Sequence, residues 1–211
     1  MDEAVYRRAM AALAAQHNPL TPPATRAQAY AELEAFKQRG DAAEYALYIL
    51  SNLEHDDFAR HFALQCLTIA AANSGADPGP VGEALRSRAA GLLVGGTKPL
   101  GQEAVHITEG VARLVAELAE RAYPQFWPGF MEGVLGAWQS SADGTSAQLA
   151  MIALRNLAED CTDSHFNSRL SAGRRNDILR AMRPHVEPLL ALTFTFMGGQ
   201  YRAAGEAEAE E

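Results

Sequence analysis

The chain has 211 residues, 48% of them hydrophobic and 8% aromatic, and 18 Lys and Arg against 26 Asp and Glu give a formal charge of −8. One domain of this length buries roughly 70% of its unfolded surface, and so acidic a chain is a poor match to broad phosphate binding. No apolar run reaches the roughly 20 residues that span a bilayer, the first residues lack the apolar stretch of a secretory signal, and Cys66 and Cys161 have no CxxC spacing, which sets aside membrane, secreted and disulfide-scaffold classes.

Apolar residues recur at helical spacing throughout, Ala and Leu dominate, and Val and Ile are too sparse for strands. Taken in order, the pattern predicts nine helices. They run about Glu3–His17, Thr25–Arg39, Ala42–Ser51, Asp57–Asn73, Pro80–Leu93, Gln102–Ala122, Pro128–Gln139 and Ser146–Cys161, with a long last helix from Ala172 to Arg202. Thr25 with Gln28 and Thr145 with Gln148 have capping-box spacing, and Asp41 with Glu44 is an acidic equivalent. Asp56 and Asp57 put negative charge where the next helix presents free N–H groups. Helical pairs begin near Glu3, Asp41, Pro80 and Pro128, a recurrence of about 40 residues that falls in the HEAT range. Such hairpins bury their apolar faces only by stacking. The expected fold is therefore all-α, a right-handed solenoid of about four and a half HEAT-type hairpins over residues 1–204, with an acidic disordered tail at 205–211. A four-helix bundle is the alternative.

Two second-position helices carry polar strips opposite their apolar faces. The first has Arg60, His61, Gln65 and Thr68; the second has His106, Glu109, Arg113, Glu117 and Glu120. Each strip also reads simply as a solvated helix face, since i,i+4 pairs such as Glu109–Arg113 are worth only a few tenths of a kcal/mol (about 0.2–0.5). In the segment 122–130, Pro124 stops one helix and Pro128 fits the first turn of the next. Between them Tyr123, Phe126, Trp127 and Phe130 are expected to fill a joint between repeats.

Enzyme chemistry finds little support. Gly95-Gly96-Thr97-Lys98 is too short and wrongly ordered for a phosphate loop. Cys161 and His165 lack an orienting third residue in the expected loop of Asp163, Ser164 and Asn167, and the histidines show no metal-binding spacing. Neither a cofactor nor a small-molecule substrate is expected. Arg174, Arg175, Arg180 and Arg183 make one basic cluster, but at about 100° per residue they fan over more than half the helix circumference. They are a weak RNA-contact set.

The run from His106 through Arg113-Leu114-Val115-Ala116-Glu117 to Tyr123-Pro124-Gln125-Phe126-Trp127-Pro128 resembles the exportin signature around a W/Y-P-x-x-W-P turn. Arg60–Gln65, Leu157–Asp160 and Arg174–Ile178 keep the order and spacing of the same family. Together these blocks are similar to the exportin-5-like members of the importin-β (karyopherin) superfamily, with Tyr123 where the family more often has Trp. The resemblance implies HEAT repeats whose inner helices bind the GTPase Ran in its GTP form. Arg60, His61, Gln65, Arg113, Glu117 and Glu120 then become Ran-facing candidates, with Gln148, Arg155 and Glu159 a further set. It also implies shuttling between nucleus and cytoplasm, nucleoporins as partners, and carriage of structured RNA (precursor microRNA, tRNA) or protein cargo, mostly through repeats beyond this length. On that reading the chain corresponds to an N-terminal portion, and Leu189, Leu190, Leu192, Phe194 and Phe196 would pack on a following repeat. A free-standing helical adaptor that binds partners without Ran is the competing reading.

Overall fold

A computed structural model describes residues 1–99, 101–162 and 170–209, and side chains as far as residue 198. Among these residues there are ten α-helices, one 3₁₀ turn and no strand. They are α1 (Glu3–His17), α2 (Pro23–Lys37), α3 (Ala42–Ser51), α4 (Asp57–Ser74), α5 (Pro80–Gly95), α6 (Val105–Ala122), α7 (Phe130–Gln139), α8 (Thr145–Thr162), α9 (Ala172–Met182) and α10 (Val186–Ala209). Consecutive hairpins stack so that α4, α6 and α8 lie side by side behind α3, α5 and α7. This is a helical solenoid of HEAT-like repeats.

The starts of the helices follow local chemistry. Asp2 and Asp56 accept the N–H groups of Ala4 and Ala59, each at 2.8 Å, and so cap α1 and α4. Pro23 and Pro80 occupy first-turn positions of α2 and α5, where a missing N–H costs nothing. The three expected capping boxes do not form. Helix α2 begins two residues before Thr25, and Gln28 donates to Glu32 instead. Asp143 takes over at α8, accepting both the Thr145 N–H and its hydroxyl. Asp41 turns away from α3 to hold Arg39 in two bonds of 2.8 Å.

Three boundaries also depart from expectation. Helix α7 begins at Phe130, two residues after Pro128, because Trp127–Gly129 close a turn in which the Phe130 N–H reaches the Trp127 carbonyl at 3.1 Å. The long last helix is two: Pro184 cannot donate an N–H, and the chain passes through a 3₁₀ turn at Arg183–His185 before α10 starts. Helix α10 runs to Ala209, past the expected start of the tail at Gly205; residues 210 and 211 lie outside the described residues, as do Asp163, Ser164, His165 and Asn167.

The core is a continuous apolar layer between the two ranks of helices. Val111, Val115 and Leu118 of α6 meet Leu67 and Ala63 of α4 and Ala150, Ala153 and Leu157 of α8, all buried. Gly82 is required by close approach. A Cβ at Gly82 would sit 2.2 Å from the Asp77 carbonyl oxygen and 2.9 Å from that of Ser74, both backbone atoms that cannot move aside cheaply. Gly82→Ala is expected to lower stability by about 1–3 kcal/mol, measured by chemical denaturation. A change below about 0.5 kcal/mol would show that the α4–α5 joint is slack.

Candidate functional site

The second helices meet through two polar clusters, which divide the expected partner-facing residues into internal and external ones. Arg60 is fully buried and pairs with the carboxylate of Glu103, itself only 4% exposed. It also donates to the Gly96 carbonyl, the C-cap of α5, at 2.8 Å. Burial pushes the Glu103 carboxyl up, but Arg60 and the N–H groups of Lys98 and Ala104 overcome that and hold it below the usual carboxylate range. Arg60 is therefore a lock between α4 and the loop before α6, not a member of an exposed strip.

The second cluster ties α6 to α8. Arg113 reaches Glu117 at 3.4 Å, Glu120 at 3.3 Å and Asp160 of α8 at 2.5 Å. Glu117 and Glu120 are buried, so they too leave the candidate surface. Burial lowers the Arg113 pKa, but Glu120, Asp160 and Glu117 together hold it above its ordinary value. Burial, with the Asp160 carboxyl alongside, pushes Glu120 up to about 8.

A polar edge does remain exposed across the three hairpins. His61 and Gln65 on α4 bond to each other at 3.0 Å. The His61 ring stands edge-on to His106 of α6, with centroids 5.7 Å apart. Next along the edge, Glu109 of α6 accepts from Arg155 of α8 at 2.9 Å, and Arg155 lies 3.9 Å from Glu159. Gln148 is half-buried at one end. The geometry thus brings together His61, Gln65, Gln148, Arg155 and Glu159 of the sequence-expected set, leaves Arg113 33% exposed, and removes Arg60, Glu117 and Glu120. It adds His106 and Glu109, which the sequence grouped in a polar strip but not among the partner-facing residues. The described residues hold no group of three or more His, Cys, Asp or Glu side chains arranged to bind a metal.

The family model for exportin 1-like proteins matches residues 104–204, from the start of α6 into α10. The chain is also 30% identical over 99 residues to exportin-5 of Mus musculus and 30% identical over 100 residues to exportin-5 of Homo sapiens. Each match covers 47% of this chain but only 8% of the relative. The second half of this chain is thus similar to exportin-like karyopherins.

Within the exportin-like segment, the turn after α6 is built as a joint. Tyr123 precedes Pro124 across a cis peptide bond and is buried against Phe130, with ring centroids 5.4 Å apart; Trp127 packs edge-on to Phe130 at 5.0 Å. Pro128 lies exposed on the turn, and Phe126, expected in the joint, is 43% exposed. A residue assigned by sequence to an RNA surface completes this joint. Arg174 of α9 donates to the Glu120 carbonyl at 2.8 Å and to that of Ala119 at 3.4 Å, and bonds the Gln125 side chain. It thereby caps the last turn of α6, supplying a donor to the Glu120 carbonyl and a second one to that of Ala119, which also accepts the Tyr123 N–H at 2.9 Å. Arg175 reaches the Leu170 carbonyl at 3.3 Å, whereas Arg180 and Arg183 are exposed. The apolar face expected on α10 divides in two. Leu189, Leu192 and Phe196 pack on the chain's own core, while Leu190 and Phe194 stay exposed together with Val186 and Met197.

Proposed function

We propose that this exportin-like chain acts as the N-terminal part of a nuclear export receptor. It binds Ran-GTP along the exposed edge of α4, α6 and α8 and contributes to export of structured RNA, such as precursor microRNA or tRNA, or of protein cargo. The observation that carries the reading is the unbroken polar edge across three successive second helices, from His61 and Gln65 to Arg155 and Glu159. Ran-GTP and cargo would each favour one curvature of the solenoid, so that binding either strengthens the other. The remaining basic candidates for RNA are Arg180 and Arg183, with Arg175 half-buried beside them. The receptor would shuttle between nucleus and cytoplasm through contacts with nucleoporins.

The test is capture of Ran locked in each nucleotide state. GTP-bound Ran alone should be retained, and Arg155→Glu with Glu159→Arg should abolish retention. Both side chains are more than half exposed, so the double variant should fold with stability changed by no more than about 0.5 kcal/mol. Equal capture of both forms would reject the assignment. Capture of neither would favour the Ran-independent adaptor.

A further inference from the structure

We propose that the groove between α3 and α5 takes helix α10 of a second copy of this chain, so that copies join head to tail. The groove lies in the rank of α3, α5 and α7, away from the polar edge of α4, α6 and α8, and the proposal does not depend on Ran binding. A cavity of about 500 Å³ has Ala43 and Leu47 of α3, Ile69 and Ala70 of α4, and Ala84 and Leu85 of α5 among its walls. A second, of about 460 Å³, continues along Tyr48 and Ser51 of α3 and Gly91 and Gly95 of α5. Glu44, Leu47 and Arg88 border both, so the two form one groove. From Val81 to Gly95 it follows about 21 Å of α5. An occupant must be elongated and apolar along one side.

The same chain carries such a side. Val186, Leu190, Phe194 and Met197 are 49%, 52%, 70% and 48% exposed, and their spacing of i, i+4, i+8 and i+11 sets them on one face of α10. Leu189, Leu192 and Phe196 lie on another face and hold the helix to the core. The exposed stripe covers about 17 Å, within the length of the groove. An apolar helix face laid in an apolar groove is a recurrent mode of recognition. The groove of its own chain is out of reach, because α3 and α5 belong to the second and third hairpins and α10 lies beyond α8 and α9 at the end of the stack.

The charges favour a second copy as the occupant. At the groove, Lys37 is taken by Glu34 and Arg39 by Asp41. That leaves Glu44 on one wall and Arg88 on the other, both exposed and in no ion pair among the described residues. Beside the stripe, Arg183 and Glu187 flank Val186 and are likewise exposed and in no ion pair. An α10 seated with Val186 between α3 and α5 sets Arg183 against Glu44 and Glu187 against Arg88. Each surface thus offers one charge of either sign to its opposite on the other, which fixes the register of the helix. The contact joins different surfaces of two copies, so it does not close on itself, and each added copy leaves a free groove and a free stripe.

Analytical ultracentrifugation of the full chain over a range of concentrations tests this. The parent should associate, with a mass that rises past that of a dimer. Phe194→Asp spoils the stripe and Ala84→Trp fills the groove. Both positions are exposed, so each variant should melt close to the parent and be monomeric by itself. Mixed, the two should form a complex of one copy of each and nothing larger, because one intact groove and one intact stripe remain between them. Arg88→Glu should weaken association roughly tenfold, and Arg88→Glu with Glu187→Arg should restore it. A parent that stays monomeric would overturn the proposal and leave α10 to a following repeat or another protein. So would self-association of the Ala84→Trp variant, which would mean that stripes pair with each other. A mixture that stays monomeric, or a double variant no tighter than Arg88→Glu, would count against it equally.

Discussion

Arg60→Met is expected to cost about 3–5 kcal/mol of folding stability, the range found when one partner of a buried ion pair is removed. Methionine keeps the packing of the aliphatic stem and removes the guanidinium group. The loss comes from what is left behind. Glu103 would keep a charge in a site where only 4% of its side chain meets water, and the Gly96 carbonyl would lose its donor. Because the Glu103 pKa is held low in the native protein, this group stabilises the fold above its unfolded pKa and that contribution fades as pH falls through the folded value. In the variant the low pKa is gone, so the defect should shrink on acidification, when Glu103 can fold protonated. Urea unfolding at pH 7 and pH 5 measures both effects. Arg60→Met combined with Glu103→Leu should recover much of the loss, since an apolar pair of similar volume replaces the ion pair. A single variant within about 1 kcal/mol of the parent would mean that water reaches the pair and that α4 is not locked there.

The local part of the fold was legible in the sequence. The spans of α1 and α3 coincide with the observed helices, because apolar periodicity and flanking breakers set both ends within a few residues. Asp56 was readable as a helix-start signal for the same reason. The division of the last helix was available too, since Pro184 lies within the span read as continuous; there the apolar periodicity on both sides outweighed one imino acid.

The polar face was harder, and arginine explains why. Arg60, Arg86 and Arg174 all look like surface residues on amphipathic helices. Arg60 reaches a carbonyl 36 residues away, Arg174 one 54 residues away, and Arg86 holds the Gly75 and Asp77 carbonyls just before its own helix. Each satisfies backbone oxygen atoms in or just beyond another helix's last turn, which carries partial negative charge. Helical periodicity shows which side of a helix is polar. It does not show whether that side faces water or the end of another helix, because that depends on how hairpins stack. His106 and Glu109 were undervalued for the complementary reason: what singles them out is their alignment with His61 and Arg155 on neighbouring helices, a relation between hairpins.

The α6–α8 joint should lose stability as pH rises from about 5 to 8, and Glu120→Gln should remove that dependence. Three carboxylates, Glu117, Glu120 and Asp160, surround Arg113, and ionising Glu120 would set its charge against that of Asp160 in a site where Glu120 is buried. A proton on Glu120 relieves this, and its carboxyl is accordingly raised from 4.5 to about 8 by burial and by Asp160. The sign follows from proton uptake on folding. Below the unfolded value both states hold the proton and the stabilisation is complete; as pH rises through the folded value the native state must release it and the stabilisation is lost. Each pH unit in that window is worth up to about 1.4 kcal/mol for one proton. Glutamine keeps the shape, an amide N–H for Asp160 and an oxygen for Arg113, but takes up no proton. The variant should match the parent near pH 5 and exceed it in stability at pH 8. Thermal unfolding across that range, run on both proteins, isolates Glu120 from every other titrating group they share. Parallel curves would show that Glu120 folds ionised.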